Sequence, residues 1–551
     1  MSRIFLRYRC VFLFILLGIF IIYFTLSYNK STISNMELST NNIKVLDKKE
    51  ILQDYKDKYY EVLQSLSKAN IINVLTYVWC GTKSEGVFEF RHFLALQSVI
   101  KLMKPDRVFF YCNNEPTADR YNYNTWWKDL KSTYPWIQVI TTNISCSDDT
   151  QTMDFIRNRM YSNEGLFIGE STVLTSVSKQ WHQSDFMSTL KDPRNGYILF
   201  PSNDKRHPPF YQYEKQCTLC HNKHFECAAF KSLEQLQSYE QPKHDGLINR
   251  NITCVCLVHL NLQPKSIWNR NDTVSSVFNY IFYDSHQTPS PDPNPNDLVP
   301  NIAHMLWIGG REVNFLFYLS ALSLLYVVKV DQLYIHGDAE PRGEWWIKLI
   351  ANEPKVTYIF KPRPNRVFGN RVGSSHHCSD VFRADIMTRY GGIYSDVDAI
   401  WTQRPSLEMR SYDAVANLDW AHNYRPYPDY INLGISLGKR HSEFWKLYLE
   451  SMKEFRDSTF GYNGLLKPYK IYEWHPESLL IYKHLQVMCY MDNCFPLWGK
   501  EFNEIDWKRD TYAVHWTYPD PVEYTNMTML LKSNSTFGDI GKFVLQSAGM
   551  L

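Results

Sequence analysis

Residues 379–398 read Ser379-Asp-Val-Phe-Arg-Ala-Asp-Ile-Met-Thr-Arg-Tyr-Gly-Gly-Ile-Tyr-Ser-Asp-Val-Asp398 and indicate a helix followed by a strand and two aspartates. The first part of this stretch predicts a helix from Asp380 to Tyr390, and Gly391 is well placed as its left-handed C-terminal cap. Asp380 would then lie near the positive N-terminal end of the helix dipole. Arg383 follows three positions later, so both side chains share one helix face.

Two carboxylates follow the next element, because Ile393–Ser395 reads as a short strand and Asp396 and Asp398 come directly after it. Open α/β sheets bind ligands at the carboxyl ends of their strands. A divalent cation held by carboxylates can offset the charge of a departing diphosphate. Mg²⁺ and Mn²⁺ favour carboxylates, phosphate oxygens and water as ligands. A bare Asp-x-Asp occurs by chance in many proteins, so its surroundings must carry the assignment.

The residues upstream alternate β-rich runs with a helical stretch. Ile302–Ile308 and Gln332–His336 read as strands, and Asn314–Val327 between them reads as a helix. Alternation of this kind predicts an α/β domain with a mainly parallel sheet.

An earlier part of the chain resembles a copy of this half. Four matches occur in the same order in both parts: Asn73–Gly81 with Asn301–Gly309, Glu115-Pro116 with Glu340-Pro341, Trp126-Trp127 with Trp345-Trp346, and Trp181–Asp185 with His376–Asp380. Four matches in register predict an internal duplication.

The first copy departs from the second where the chemistry would sit. Extending the last match downstream places Ser188 opposite Arg383. The same alignment places Phe200 and Ser202 at the positions of the two aspartates. Without those carboxylates and the guanidinium, the first copy is predicted to be unable to bind a metal–diphosphate in the same way.

The N-terminus carries an addressing signal. Arg3, Arg7 and Arg9 precede an apolar run from Cys10 to Tyr28, and about 20 residues of helix span a bilayer core. A cleaved signal peptide is the alternative, but no small-residue cleavage site follows the run. We therefore expect an uncleaved anchor, with the arginines cytoplasmic and the remainder of the chain lumenal.

Two further features of the sequence support a lumenal location for the residues after the anchor. Glycosylation sequons stand at Asn143, Asn251, Asn271, Asn526 and Asn534. Of the 12 cysteines, Cys10 lies in the anchor, and the others would face an oxidising lumen. Disulfides are therefore preferred over a zinc site for the cluster at Cys217, Cys220, Cys227, Cys254 and Cys256.

Composition excludes one class of function. The formal net charge is +2 with 21% charged residues, whereas a nucleic-acid binder would show a basic stripe. No nucleic-acid partner is expected.

Taken together, Ser-Asp-x-x-Arg, Tyr-Gly-Gly-Ile-Tyr and Asp-x-Asp resemble the sugar-binding region of glycosyltransferase family 32. That family includes α-1,4-galactosyltransferases and α-1,4-N-acetylglucosaminyltransferases. Val299–Gly310 is similar to the opening strand of the same family, so the resemblance covers roughly residues 299–520.

The resemblance implies a GT-A fold, retention of configuration and a role for each site residue. Trp307 would stack on the nucleotide base, and Asp380 and Arg383 would hold the donor sugar and ribose. Asp396 would contact ribose or sugar and help to place the metal, which Asp398 would ligate. His515 resembles a C-terminal histidine that completes such sites, although a partly buried structural histidine is an equally good interpretation.

These expectations divide the chain as follows: 1–9 cytoplasmic tail, 10–28 transmembrane signal anchor, 29–69 stem, 70–285 degenerate glycosyltransferase-like domain, 286–298 Pro-rich linker and 299–551 catalytic domain. The predicted function is a metal-dependent Golgi glycosyltransferase. It would use Mn²⁺ or Mg²⁺ and a nucleotide-sugar donor, with a UDP-sugar favoured, and a glycan or glycolipid acceptor. A lumenal carbohydrate-binding pseudoenzyme remains the alternative from another class. A glycosidase is also left open, because paired carboxylates define it by a separation that sequence does not give.

Overall fold

The computed structural model describes residues 74–80, 86–144, 149–163, 165–169, 171–174, 187–188, 197–200, 226–229, 252–257, 261–268, 273–283, 288–292, 294, 296–419, 427–489, 506–516 and 520–551. The predicted tail, anchor and stem lie outside these residues. Within the described segments, no helix combines the length and the apolar character that crossing a membrane requires.

The strands are numbered in chain order. They are β1 Val74–Trp79, β2 Arg107–Cys112, β3 Gln138–Thr141, β4 Gly165–Ile168, β5 Thr172–Leu174, β6 Met187–Ser188, β7 Tyr197–Phe200, β8 Glu226–Ala229, β9 Ile252–Cys256, β10 Ile302–Leu306, β11 Gln332–Gly337, β12 Val356–Phe360, β13 Arg366–Val367, β14 Asn370–Arg371, β15 Gly392–Ser395, β16 Ala399–Trp401, β17 Ala414–Leu418, β18 Ile431–Gly438, β19 Leu480–Ile481, β20 Gln486–Cys489 and β21 Ala513–Trp516.

The α-helices are numbered in the same way. They are α1 Phe90–Met103, α2 Trp126–Thr133, α3 Asp149–Asn163, α4 Lys265–Trp268, α5 Thr273–Tyr283, α6 Phe315–Leu322, α7 Glu344–Asn352, α8 Ser375–Tyr390, α9 Leu407–Ser411, α10 Glu443–Ser451, α11 Lys467–Trp474, α12 Met527–Lys532 and α13 Thr536–Ser547. A π-helical turn, Ser323–Val328, continues α6, and another, Tyr462–Leu466, leads into α11.

Two large sheets carry the fold. The first has the order β3-β2-β1-β4-β7-β6 and the second has the order β12-β11-β10-β15-β18-β17-β19. In the second sheet β10, β11, β12 and β15 run parallel, and β18 is antiparallel to β15. The α/β class predicted from the sequence is therefore confirmed, with predicted and observed strands differing by one or two residues at their ends.

The two sheets share one plan. In the first sheet β1, β2, β3 and β4 are likewise parallel, and β7 lies antiparallel to β4. Each sheet is accompanied by a three-stranded sheet with the same directions, β5-β9-β8 in the first half and β16-β21-β20 in the second. The two halves expected to be repeats in sequence therefore have the same sheet topology.

The topology corrects the sequence alignment of the two halves. β4 is the counterpart of β15, because each is the parallel neighbour of the central strand and each precedes an antiparallel partner. Phe200 ends β7, whose counterpart is β18, and Ser188 ends β6, whose counterpart is β17. Ser202 lies outside the described residues. The alignment was wrong because the Trp181–Asp185 match follows β4 and β5 along the chain instead of preceding them.

Helix α8 begins earlier than predicted. It starts at Ser375, because the carboxylate of Asp457 accepts the backbone N–H groups of Gly373 and Ser374 at 2.9 and 3.2 Å and so organises the first turn. Asp380 consequently lies in the second turn and not at the helix N-terminus. Gly391 follows the helix with a positive φ of 60°, as expected for a cap, but its ψ of −164° lies outside the left-handed helical region.

The Pro-rich segment is docked and not free. In its described part the ammonium of Lys439 contacts Asp292 at 2.9 Å and Asp297 at 3.1 Å. The backbone N–H of Asp292 also donates to the carbonyl of Ser411 at 3.0 Å. The side chain of Lys439 is buried, so these contacts hold the segment against the second half.

The two halves meet along a contact that we call the seam, made by α2 and the preceding loop with α11. The Trp126 and Trp474 rings lie 5.5 Å apart between centroids. The Tyr123 hydroxyl donates to Glu473 Oε1 at 2.7 Å. Both sides bury large aromatic groups, so the halves pack as parts of one body.

Candidate active site

Three predicted metal ligands converge at the carboxyl end of β15. One ligand atom from each of Asp396, Asp398 and His515 lies within 4.8 Å of the others. His515 Nε2 is 3.1 Å from Asp398 Oδ1 and 3.9 Å from Asp396 Oδ2. Two carboxylates and one imidazole in this arrangement fit a divalent cation that keeps open positions for phosphate oxygens and water.

Strand pairing brings the histidine to the aspartates. β16 begins directly after Asp398 and pairs antiparallel with β21, which sets His515 opposite Ala399. The backbone N–H of Asp396 donates to the carbonyl of Gly434 on β18 at 2.7 Å. A Cβ on Gly434 would lie 2.4 Å from His515 Cε1 and 2.6 Å from Asp396 Oδ2. Glycine is therefore needed there for the ligands to come together.

The imidazole of His515 is oriented from behind by a buried amide. His515 Nδ1 lies 2.7 Å from Gln486 Oε1, and Gln486 Nε2 donates to Asn417 Oδ1 at 2.5 Å. All three side chains are buried. Because the amide nitrogen is committed to Asn417, its oxygen faces the imidazole, which keeps Nδ1 protonated and directs Nε2 at the aspartates.

The neighbouring carboxylates set the charge state of the histidine. Burial acts to lower the pKa of His515, but the attraction of Asp398 and then of Asp396 outweighs it, so the pKa is raised above its usual 6.5. Both ring nitrogens face acceptors in the absence of a metal. A bound cation would replace the proton on Nε2.

Arg383 and Tyr394 fix the first aspartate. The guanidinium of Arg383 lies 3.4 Å from Asp396 Oδ1, and the Tyr394 hydroxyl donates to the same oxygen at 2.9 Å. Arg383 Cζ stands 4.5 Å from the centre of the Tyr394 ring. Arg383 is buried, so its charge interacts with Asp396 through a medium of low polarity. The arginine thus orients a metal-site carboxylate.

Asp380 is a buried neighbour of Arg383, and its carboxylate packs against the backbone at Gly464. It is 8% exposed, and burial raises its pKa to about 6 although Arg383 opposes the shift. A Cβ on Gly464 would lie 2.6 Å from Asp380 Oδ1. The glycine allows the turn Tyr462–Leu466 to pack directly against the carboxylate.

Trp307 follows β10, the parallel neighbour of β15, and therefore lies at the same edge of the sheet as Asp396. Its indole N–H donates to the carbonyl of Arg311 at 2.9 Å, and the Arg311 guanidinium stands 5.6 Å from the ring centre. The ring is half-buried. Its predicted role as a base platform stays a prediction.

The first half lacks every ligand at the corresponding positions. Gly169 and Ser171 follow β4 at the spacing at which Asp396 and Asp398 follow β15. Cys256 pairs with the first residue of β5 as His515 pairs with the first residue of β16. These three residues carry no carboxylate and no imidazole. That the first copy is unable to bind a metal–diphosphate stays a prediction.

Sequence reasoning missed the supports of the site. Tyr394 lies inside the quoted stretch and could have been found from its position two residues before Asp396. No local sequence pattern marks Gln486 or Gly434 as site residues. They reach the site only because β20 pairs with β21 and β18 pairs with β15.

Of the predicted glycosylation sites, Asn143, Asn526 and Asn534 are exposed. Asn526 Oδ1 accepts the backbone N–H of Met529 at 3.0 Å and caps α12, which leaves its amide nitrogen for a glycan. Asn251 and Asn271 lie outside the described residues.

Comparison with known proteins identifies this region. Residues 338–416 match the family described as glycosyltransferase sugar-binding region containing DXD motif. The Glucan organizing enzyme 1 of Cryptococcus neoformans var. grubii serotype A is 25% identical over 237 residues. That match covers 40% of this chain, and the chain spans only 62% of the relative's length.

Solved glycosyltransferases give weaker matches. The galactosyltransferase LgtC in complex with donor and acceptor sugar analogs is 11% identical with a TM-score of 0.29, covering 45% of this chain and all (100%) of that one. The apo form of GlyE from Streptococcus pneumoniae is 13% identical with a TM-score of 0.30, covering 46% of this chain and 64% of that one. Residues 338–416, which hold Asp380, Arg383, Asp396 and Asp398, therefore match the DXD-containing glycosyltransferase sugar-binding region, in agreement with the resemblance expected from the sequence.

Proposed function

We propose that this chain is a metal-dependent, retaining glycosyltransferase of the GT-A type. It moves a hexose or N-acetylhexosamine from a nucleotide sugar, preferably a UDP-sugar, to a glycan or glycolipid acceptor. The observation that carries the proposal is the convergence of His515 with Asp396 and Asp398, two aspartates in the segment that matches the DXD sugar-binding region. A glycosidase does not account for this imidazole beside the carboxylate pair, nor for the oriented guanidinium of Arg383.

The residues divide the work according to their positions. Asp398, His515 and Asp396 hold a divalent cation, with Mn²⁺ preferred because the set includes a nitrogen donor. The cation supplies a Lewis acid that offsets charge on the departing diphosphate. Arg383 and Tyr394 keep Asp396 in place, and Gln486 keeps His515 in place. Asp380, buried beside Gly464, accepts hydrogen bonds from donor-sugar hydroxyls.

The proposed location is the Golgi membrane, with residues 10–28 as the anchor and the rest of the chain lumenal. Cys80 and Cys254 each take part in a disulfide bond, which suits an oxidising compartment. The exposure of Asn143, Asn526 and Asn534 suits glycosylated sites. We propose for the first half a structural or acceptor-positioning role, since its fold persists without the ligands.

A carbohydrate-binding pseudoenzyme is the second candidate, and the loss of ligands in the first half is the observation that favours it. The test is a screen of nucleotide sugars with the purified full-length chain and Mn²⁺, scoring release of nucleoside diphosphate. Release from one donor that stops with EDTA is the expected result. If no donor is turned over while glycans still bind, the pseudoenzyme is the correct assignment.

A further inference from the structure

The strand β12 forms an open edge of the second sheet, because among the described residues it pairs with β11 alone. Just after β12, the backbone N–H of Lys361 donates to the carbonyl of Gly337 at 2.8 Å. Alternate residues of a strand bond to the same neighbour, so Ile359 also bonds to β11. The N–H and C=O groups of Tyr358 and Phe360 therefore point away from the sheet, where a further strand can pair with them.

Large apolar side chains are exposed on β12 and on the helix α7 that precedes it. Phe360 is 65% exposed and Ile347, on α7, is 64% exposed. Ile359 and Ile350 are exposed as well. On the helix, Ile347 and Ile350 are three positions apart and so share one flank. Exposed apolar groups gathered in one place mark an interaction surface.

The packing of α7 turns this flank toward the open edge of the sheet. Trp345 packs against α6, which lies toward the middle of the sheet. Trp346 faces the sheet itself, where its ring lies 6.4 Å from the ring of Tyr358. Successive helix residues are about 100° apart, so the next flank faces away from α6. We call the open edge of β12, together with Ile347 and Ile350, the edge face.

The first half has polar residues at the matching positions. The Trp-Trp match aligns α2 with α7, which puts Lys128 and Lys131 at the positions of the two isoleucines. Thr141 pairs with the last residue of β2, as Phe360 pairs with the last residue of β11. The same plan thus folds with lysine and threonine at these positions. The fold itself does not require the apolar side chains of the edge face, so an external contact is the reason for them.

The charges at the two ends of β12 permit the strand to pair with itself. The five residues of β12 carry no charge, and Lys355 and Lys361 flank them. Lys355 Nζ donates to the carbonyl of Val330 at 3.2 Å, and Lys361 forms an ion pair with Asp385. Antiparallel pairing centred on Tyr358 would set Lys355 opposite Lys361 of the second copy, whose charge Asp385 already offsets. No unpaired like charges would therefore meet across the contact.

We propose that two copies of this chain pair through the edge face, β12 against β12 in antiparallel order about a two-fold axis beside Tyr358. Val356 then faces Phe360 of the second copy, and the flanks with Ile347 and Ile350 approach each other across the axis. A second copy supplies hydrogen-bond partners to the open backbone groups, which a lipid surface could not do. A two-fold contact of this kind closes on itself and gives a dimer. The proposal does not depend on the transferase function.

The first test measures the molar mass of the purified full-length chain in detergent by light scattering, with the mass of bound detergent subtracted. Ile347→Lys/Ile350→Lys gives α7 the lysines that α2 carries. Phe360→Pro removes an outward N–H and leaves the pairing with β11 in place. Met529→Lys/Leu531→Lys is the matched control, because these side chains are 44% and 43% exposed on α12.

The wild type and the control should have the mass of two chains at micromolar concentration, and the other two variants the mass of one. The dissociation constant should rise at least about 100-fold in each, because every change acts in both copies of a two-fold contact. A wild-type mass of one chain would overturn the proposal and leave a lipid surface or another protein as the occupant. A dimer that persists in either variant, or that is lost in the control, would overturn it too.

A cross-link tests the register and decides the matter if those variants unfold. In the proposed pairing Thr357 lies opposite Ile359 of the second copy as a non-hydrogen-bonded pair, with Cα atoms about 4.5 Å apart. A disulfide can span that distance. Thr357→Cys and Ile359→Cys, co-expressed with different tags and oxidised, should therefore give a mixed cross-linked dimer, whereas neither should cross-link alone. If the mixed dimer does not form, the proposed pairing is wrong.

Discussion

Gln486 shows how a site depends on residues that never contact the ligand. Its amide joins His515 to Asn417 across three strands, β21, β20 and β17, and its side chain is fully buried. The amide oxygen holds the proton on His515 Nδ1, and the metal-binding nitrogen is thereby turned toward Asp398. Orientation of this kind adds to the affinity of a metal site without adding a ligand.

Gln486→Leu should therefore weaken Mn²⁺ binding by about 10–100-fold, the usual effect of removing such a support. The variant keeps all three ligands and similar volume, so the loss would come from a misoriented imidazole. Mn²⁺ affinity measured by electron paramagnetic resonance tests this without any assay of activity. The unfolding temperature should be recorded in parallel. An Mn²⁺ affinity equal to that of the wild type would show that Gln486 has only a packing role.

Little of this residue-scale detail was accessible from the sequence. The Asp-x-Asp pair and Arg383 stand in one local stretch, so their proximity follows from strand and helix geometry. The sequence allowed two equally good interpretations of His515, a metal ligand or a buried structural residue. It could not decide between them because 117 positions separate His515 from Asp398. Its role depends on the pairing of β16 with β21, and no local pattern predicts which strands will pair.

At the scale of elements, the junction between α8 and β15 turns the chain with two glycines. Gly391 has a φ of 60°, and a Cβ there would lie 2.5 Å from the backbone nitrogen of Arg440. Gly369, between β13 and β14, also has a positive φ, 85°, but a Cβ there would meet nothing within 4 Å. A side chain at Gly369 would therefore meet backbone strain alone, whereas a side chain at Gly391 would meet both strain and steric overlap.

Gly369→Ala should cost only the strain of a positive φ, about 1–2 kcal/mol. Gly391→Ala should cost more, since the added methyl group overlaps backbone that cannot move aside, and the loss should exceed about 3 kcal/mol. Urea unfolding of both variants measures the difference in the free energy of unfolding. An equal loss of unfolding free energy in the two variants would contradict the predicted steric overlap at Gly391.

A buried histidine pair joins two further elements, β10 and β11. His304 Nδ1 lies 3.0 Å from His336 Nε2, and His304 Nε2 lies 2.9 Å from the carbonyl of Gly391. Burial is the main cause that lowers the pKa of His304 to about 4 and that of His336 to about 3. Both rings are therefore neutral in the folded chain at neutral pH.

This pair should make the fold sensitive to acid. The unfolded chain takes up protons on both residues below a pH of about 6.5, whereas the folded chain does not until far lower pH. Stability is thus complete above pH 6.5 and falls as the pH drops toward 4, by up to about 1.4 kcal/mol per histidine per pH unit. Urea unfolding between pH 7.5 and 5 gives the slope, which His336→Phe should reduce. A stability that does not change over this range would contradict the neutral pair.

Element boundaries were predictable where local signals were strong. Strands β10, β11 and β15 were placed within two residues, because apolar runs bounded by turn residues are local features. The start of α8 was missed, since Asp457, which organises its first turn, lies more than 80 residues away. The repeat was detected from short motifs, but its alignment required the strand order, because Trp181–Asp185 follows β4 whereas His376–Asp380 precedes β15.

In the molecule as a whole, the same sheet topology occurs twice, and the described residues contain one set of metal ligands. The first half has Gly169, Ser171 and Cys256 at the positions of Asp396, Asp398 and His515. Two adjacent carboxylates repel each other when no cation lies between them. Their absence from these positions of the first half removes that repulsion there, and the first half still contributes α2 to the seam.

The full-length chain should accordingly bind one Mn²⁺ with affinity dependent on the three ligands. Titration calorimetry of the intact protein should give one strong site, and Asp398→Asn should remove it because no second set of ligands exists in the described residues. Persistence of strong Mn²⁺ binding in Asp398→Asn would place a metal site elsewhere in the chain.

The assignment of Asp398 as a metal ligand is tested by the Mn²⁺-dependent rate of nucleoside diphosphate release from the preferred donor, compared between Asp398→Asn and Asp331→Asn. Asp331 is an exposed aspartate beside the start of β11, at the edge of the sheet opposite the site. Asp398→Asn should lose several kcal/mol of transition-state stabilisation, about tenfold in rate for each 1.4 kcal/mol. Asp331→Asn should match the wild type and lose its activity in EDTA. Equal rates in the two variants, or a rate that EDTA does not affect, would contradict the assignment of this site.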